Sequence, residues 1–241
     1  MAALRDQKAW AQQKQLANGR IKAVAFDGFV IFDPGSVEKR VEEQLPGRGA
    51  EFTNLWRTRQ FEYCWLRTCG GQYADFWRLT DDALRYTATS LKVSLTGTQH
   101  DALMEAYRTL TPWPDVRGGL AELRRRGIRL AFLSNLTATM LDANLKQSGL
   151  SDFFEPHLTT DRVQAYKPSP RAYQMGPDGF HLQKSEIAFA AFGAWDAAGA
   201  KWFGYPTVWL NRRSIPAEEL DAQPDLVAKD FRELVDFVAR S

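Results

Sequence analysis

The stretch Ile21-Lys22-Ala23-Val24-Ala25-Phe26-Asp27 decides the organisation of this chain. A mostly apolar run ends on a carboxylate, the pattern of a short buried β-strand. A strand needs a partner, and none follows for many residues. From about 38 to 111 the apolar positions recur mostly three or four apart, among them Val41, Leu45, Phe52, Leu55, Trp56, Phe61, Tyr63, Leu66, Ala83, Leu84, Tyr86 and Leu91. That spacing is helical. After Pro112-Trp113-Pro114, helix and strand alternate: helix 116–126, strand 129–134, helix 138–148, a turn at Gly149, strand near 156–160, helix 169–180, strand 187–192, helix 195–203, strand 206–211 and a closing helix about 229–239. Such alternation means βαβ units and a parallel sheet. The first strand can only join that sheet, so the helical stretch is an insertion. The expected fold is α/β: a Rossmann-like parallel sheet flanked by helices over 21–36 and 112–241, an all-helical cap over 37–111, and a polar N-terminal extension over 1–20.

Composition narrows the function classes. The chain has 241 residues, 44% of them hydrophobic and 25% charged, the mixture of an ordinary globular protein. Its net charge of +2 lacks the local excess of Lys and Arg that a nucleic-acid surface or a polybasic membrane anchor needs. No apolar run approaches the roughly 18 residues of a membrane span. The first twenty residues lack the apolar core of a secretory signal, so the expected location is cytoplasmic. Cys64 and Cys69 fall in one predicted helix, about 140° apart around its axis, which suits neither a disulfide nor a zinc site. His100, His157 and His181 show no metal-ligand spacing, and no metal is expected.

Ligands of an open parallel sheet bind beyond the carboxyl ends of its strands. Four successive exits carry Asp27-Gly28-Phe29, Ser134-Asn135, Tyr166-Lys167-Pro168 and Gly193-Ala194-Trp195-Asp196. Singly, each residue has a plain structural use. Asp27 can cap a turn, Ser134 and Asn135 can begin helix 138–148, Lys167 can be a solvated loop residue, and Asp196 suits the first turn of a helix. A matched set at four exits is far harder to produce by chance. A lysine beside a carboxylate keeps it ionised and oriented for attack on an electrophilic carbon or phosphorus, forming an ester. A second carboxylate can then help water open that ester.

At these positions the chain resembles the haloacid dehalogenase superfamily, whose four motifs match Asp27, Ser134, Lys167 and Asp196. The stretches Trp56-Arg57-Thr58-Arg59-Gln60-Phe61-Glu62-Tyr63, Tyr73-Ala74-Asp75-Phe76-Trp77 and Asp82-Ala83-Leu84-Arg85-Tyr86 resemble its L-2-haloacid dehalogenase (type II) branch in particular. The resemblance spans about 21–235. It implies that Asp27 displaces halide from the α-carbon of a short 2-haloacid with inversion, and that water hydrolyses the resulting ester to a 2-hydroxy acid. Ser134 and nearby amides would hold the substrate carboxylate, and Lys167 would position Asp27. Arg59 with Asn135 would receive the halide, while Phe29, Gln60 and Trp195 would wall the pocket. Asp196 would orient or activate water. The resemblance also implies a homodimer and no cofactor.

Two motifs depart from the pattern of the family. Asp27-Gly28-Phe29-Val30-Ile31-Phe32-Asp33 is one residue short of Asp-x-aromatic-Gly-Thr-Leu-x-Asp, and Ile31 stands where a hydroxyl would steady Asp27. Ala191 and Gly193 replace the Ser and Asn that precede the last Asp of the family's fourth motif. The water-side network is thinner than the nucleophile side. Two further readings remain open. One is a non-catalytic homologue that binds small carboxylates. The other is a magnesium-dependent phosphohydrolase, disfavoured because Phe29 occupies the place of that branch's general acid and an aromatic ring cannot protonate a leaving alcohol.

Overall fold

A computed structural model describes residues 21–241; the polar extension expected over 1–20 lies outside the described residues. In chain order, β1 (Ala23–Phe26) leads into the one-turn helix α1 (Gly28–Ile31) and β2 (Phe32–Asp33). Four helices follow, α2 (Gly35–Gln44), α3 (Gly49–Cys69), α4 (Phe76–Ser90) and α5 (Gly97–Glu105), and then β3 (Thr111–Pro112). The remainder runs α6 (Val116–Arg125), β4 (Arg129–Ser134), α7 (Ala138–Ser148), β5 (Leu158–Thr159), α8 (Pro170–Phe180), β6 (Ile187–Ala191), α9 (Ala194–Phe203), β7 (Thr207–Leu210), β8 (Leu226–Ala228) and α10 (Phe231–Arg240).

The six-stranded sheet has the order β5-β4-β1-β6-β7-β8, every pair parallel. β1 therefore joins strands that lie more than a hundred residues further along the chain, pairing Ala23 with Arg129 on one side and with Ile187 on the other. All four of its residues are buried, as expected for a central strand covered on both faces. Alternation divides the core. Val24 and Phe26 point into a cluster with Phe132, Leu120 and Phe231, while Ala23 and Ala25 point into one with Leu133, Tyr173 and Phe189. The helical segment leaves through β2 and returns through β3, and these two pair antiparallel, Phe32 with Pro112 and Asp33 with Thr111.

Local chemistry sets the helix ends. Asp75 accepts from the Arg78 amide at the start of α4, Thr96 and Gln99 form a capping box on α5, and Thr137 caps α7. Gly149 closes α7 at φ +64°, a left-handed turn that favours glycine. β8 was not expected from the sequence: three residues follow the polar loop 211–225, too short a run to signal a strand. The thiols of Cys64 and Cys69 are both free, the first buried and the second exposed. Among the described residues no helix is long and apolar enough to cross a membrane, and no group of three His, Cys, Asp or Glu is placed to hold a metal ion.

Candidate active site

Because β4, β1 and β6 are adjacent and parallel, their carboxyl ends bring Ser134, Asp27 and the Gly193–Asp196 turn side by side. Gly28 allows the first two to approach: a Cβ there would lie 3.1 Å from Ser134 Oγ and 2.8 Å from Leu136 Cδ1. Ser134 is buried, and its Oγ accepts from the Leu136 amide at 3.1 Å. The backbone N–H of Lys167 donates to Asn135 Oδ1 at 3.2 Å, which ties the lysine loop to the β4 exit and leaves the amide nitrogen of Asn135 for the cavity.

The Lys167 ammonium is fully buried and bridges two carboxylates, donating to Asp27 Oδ1 at 2.9 Å and to Asp196 Oδ2 at 2.6 Å. Asp27 Oδ2 accepts the Phe29 amide, at 3.1 Å, and no other donor among the described residues. Asp196 Oδ1 accepts the Tyr173 hydroxyl at 2.7 Å. Burial works against the lysine charge, but the two carboxylates outweigh it and hold the ammonium above the ordinary lysine range. Burial pushes the Asp196 carboxyl up to about 6; Lys167 opposes that shift and the charge of Asp27 adds to it.

A pH dependence follows. Below about 6 Asp196 gains a proton and Lys167 loses one of its two anionic partners, so kcat/KM falls on an acid limb with its midpoint near that value. Stability runs the other way. A carboxyl raised from 3.8 in the unfolded chain to about 6 in the folded one favours folding while protonated, and its contribution is lost as the pH rises through 6. A pH–rate profile and denaturant titrations of wild type and Asp196→Asn at pH 4.5 and 7 measure both. A rate flat across pH 5 to 7 contradicts the assignment.

Asp27 opens onto a cavity of about 380 Å³ between sheet and helices, lined also by Phe29, Arg57, Phe61, Trp65, Ser134, Asn135, Phe192, Gly193, Trp195 and Arg213. Phe29 and Trp195, expected as pocket walls, both line this cavity. Trp195 packs edge-on against Phe61 and Trp65 at 5.3 and 5.7 Å between centroids, joining α9 to α3 across the cavity.

Three sequence-derived assignments need correction. Arg59 does not line the cavity: its guanidinium stacks over the Tyr86 ring at 4.1 Å and pairs with Glu62 at 2.7 Å. Arg57 lies there instead. At about 100° per residue, Arg59 points some 200° away from Arg57, whereas Arg57, Phe61 and Trp65 follow one face of α3. Gln60 is buried behind this wall, donating to Thr80 Oγ1 and accepting from Tyr107 Oη, and faces only a small compartment of about 20 Å³. Asp196 does not line the cavity either, since Lys167 and Tyr173 take both its oxygens. It can act on the reacting centre through Lys167, as a positioning residue. Arg213, in the loop after β7, was missed: Asn211-Arg212-Arg213 reads as an ordinary polar surface turn. The Trp195 indole lies over Gly193, with Nε1 2.7 Å from where a Cβ would stand, so its ring occupies space that an asparagine side chain would need.

A nucleophile-type carboxylate held by a buried lysine at the end of a central parallel strand agrees with what comparison finds. Residues 21–204 match the family model of haloacid dehalogenase-like hydrolases. The chain is 42% identical over 217 residues to an (S)-2-haloacid dehalogenase from Pseudomonas sp. (strain YL), covering 90% of this chain and 94% of that protein. Among solved structures, an L-2-haloacid dehalogenase superposes with a TM-score of 0.89 at 38% identity over 92% of this chain and 100% of that one. The L-2-haloacid dehalogenase from Xanthobacter autotrophicus with chloropropionic acid covalently bound gives 0.84 at 32% identity, over 91% and 98%. The chain belongs to the haloacid dehalogenase-like hydrolase family.

Proposed function

We propose that this protein hydrolyses the carbon–halogen bond of short 2-haloalkanoic acids, giving 2-hydroxy acids through an ester on Asp27. The observation that carries the reading is the unequal bonding of the two Asp27 oxygens. Oδ1 is held by the Lys167 ammonium, while Oδ2 accepts one amide, and Asp27 lines the cavity. Oδ2 is the stronger nucleophile of the two. It attacks the α-carbon from the side opposite the halogen, and the C–halogen pair leaves as halide. Arg57 takes the assigned halide role of Arg59, with the Asn135 amide, and Ser134 with the neighbouring backbone amides holds the carboxylate. Oδ1 then becomes the ester carbonyl oxygen, already against Lys167. Water adds to the Asp27 carbonyl carbon, the ammonium stabilises the oxyanion, and collapse breaks the bond to the substrate oxygen, which takes one water proton and leaves as the 2-hydroxy acid while the other proton passes to solvent. Asp196 keeps Lys167 in place through both steps.

The supporting frame is a core over 21–36 and 112–241 with a cap over 37–111, acting in the cytoplasm as a homodimer. Leu66 and Tyr86, exposed on the cap helices, provide an apolar face for a second copy. One observation favours a slower second step: with Ala191 buried and Trp195 over Gly193, positions 191 and 193 offer no polar side chain. Each missing hydrogen bond costs about 0.5–1.5 kcal/mol, up to about tenfold in rate.

The test is a single turnover of 2-chloropropionate in oxygen-18 water with enzyme in excess. The label is expected in Asp27 and not in the lactate, with halide released ahead of hydroxy acid. Label appearing first in lactate overturns the covalent route. Tight carboxylate binding without any halide release supports the non-catalytic reading instead.

A further inference from the structure

The chemistry above uses one cationic side chain on the halide side, yet the cavity holds a second. Arg213 is placed there by a built loop rather than by chance exposure. Its neighbour Arg212 is locked the other way, its guanidinium forked onto both Asp115 oxygens at 3.0 and 2.8 Å and stacked 4.8 Å over Trp113. Asn211 clamps the turn from both sides, donating to the Ile215 carbonyl and accepting from the Ile215 amide at 2.8 and 3.0 Å. Arg213 then lies 5.6 Å over the Phe192 ring, on the cavity wall. Arg57 and Arg213 also both line the 20 Å³ compartment behind that wall, so the two guanidinium groups flank one passage.

Their charges are poorly compensated. Among the described residues, the one carboxylate within 4.0 Å of Arg213 is Asp33, at that limit, and its Oδ1 already accepts the Gly35 amide. Arg57 donates to Asn54 Oδ1 at 3.3 Å and forms no ion pair among the described residues. Of the other carboxylates lining the cavity, Glu62 pairs with Arg59, and Glu218, at the exposed rim, forms no ion pair with either arginine. Burial, reinforced by the nearby Arg213 charge and partly opposed by Glu38, lowers the proton affinity of Arg57. A cavity of about 380 Å³ also exceeds the needs of a three-carbon acid, since pockets of this size hold far larger ligands.

We propose that Arg213 binds a second carboxylate, leaving Arg57 to the halide, and that the preferred substrates are 2-halodicarboxylic acids of four or five carbons. The carboxylate next to the halogen sits at Ser134 as before, and the distal one meets the Arg213 fork, whose planar donors suit a carboxylate. This deepens the proposed function and rests on its site.

The experiment compares wild type and Arg213→Gln on 2-chlorosuccinate, 2-chloroglutarate and 2-chloropropionate, reading halide release. In parallel, calorimetry measures binding of the unreactive product pair malate and lactate. Wild type is expected to prefer at least one diacid, and Arg213→Gln to lower the diacid-to-monoacid ratio of kcat/KM at least tenfold, mainly through KM. Malate is expected to bind tighter than lactate, and that advantage to vanish in the variant. Equal losses on both classes mean general attraction of anions and overturn the proposal, as does malate binding no tighter than lactate. Absence of halide release from every substrate removes the dehalogenase reading, while the malate and lactate titrations still decide the role of Arg213.

Discussion

Asp27→Asn removes halide release, with kcat lower by about 10⁴-fold or more, while the protein stays folded. The amide keeps the shape of the carboxylate and can still present an oxygen to Lys167, and Asp196 remains as that lysine's anionic partner at 2.6 Å. What it loses is the negative charge, and a neutral amide oxygen does not displace halide at a useful rate. The local cost is one awkward contact: the amide nitrogen must lie near the Phe29 N–H, leaving two donors face to face where Oδ2 accepted at 3.1 Å. A buried donor left without its acceptor costs about 1–3 kcal/mol, which a domain of ordinary stability tolerates. Circular dichroism melts should therefore show a folded variant, and halide-release assays an inactive one. Substantial turnover by this variant would exclude residue 27 as nucleophile.

The sequence makes this nucleophile legible because strand exits are where a buried apolar run gives way to polar residues. Asp27 and Ser134 each end such a run, and Lys167 lies three residues before Pro170, which marks the start of a helix. That β1 joins the sheet of the later strands follows from its lack of a partner in the helical stretch, whereas its neighbours, β4 and β6, are seen only in the structure. Side-chain direction was less legible. Asp196 has the right neighbours in sequence, but its distance from the cavity depends on Tyr173, brought beneath it by α8. Arg213 is set by a contact of Arg212 with Asp115, 97 positions away, and no local pattern encodes such a pair. Gly193 is small for a reason visible only in three dimensions, the indole of Trp195 lying over it.

The arginines of α3 show the same limit, and substituting them gives the second large effect. Arg57→Met lowers kcat/KM by about 10²–10³-fold, the loss expected when one donor aimed at developing negative charge is removed. Arg59→Met changes it by less than about threefold, because Arg59 spends its charge on Glu62 at 2.7 Å and on the Tyr86 ring at 4.1 Å. Such a half-exposed ion pair and such a stack contribute about 1 kcal/mol or less each, and to stability rather than to the reacting centre. The helical phase was available in the sequence: Phe61 and Trp65 lie four apart, and the arginine one turn before Phe61 is Arg57. Selecting that face requires knowing that Trp195 packs on it, whereas Trp56, equally aromatic, points inward and donates to the Thr80 carbonyl. Steady-state kinetics of the two variants on 2-chloropropionate separate the assignments. A severe loss in Arg59→Met with a mild one in Arg57→Met would mean that the reactive cavity lies on the other side of α3.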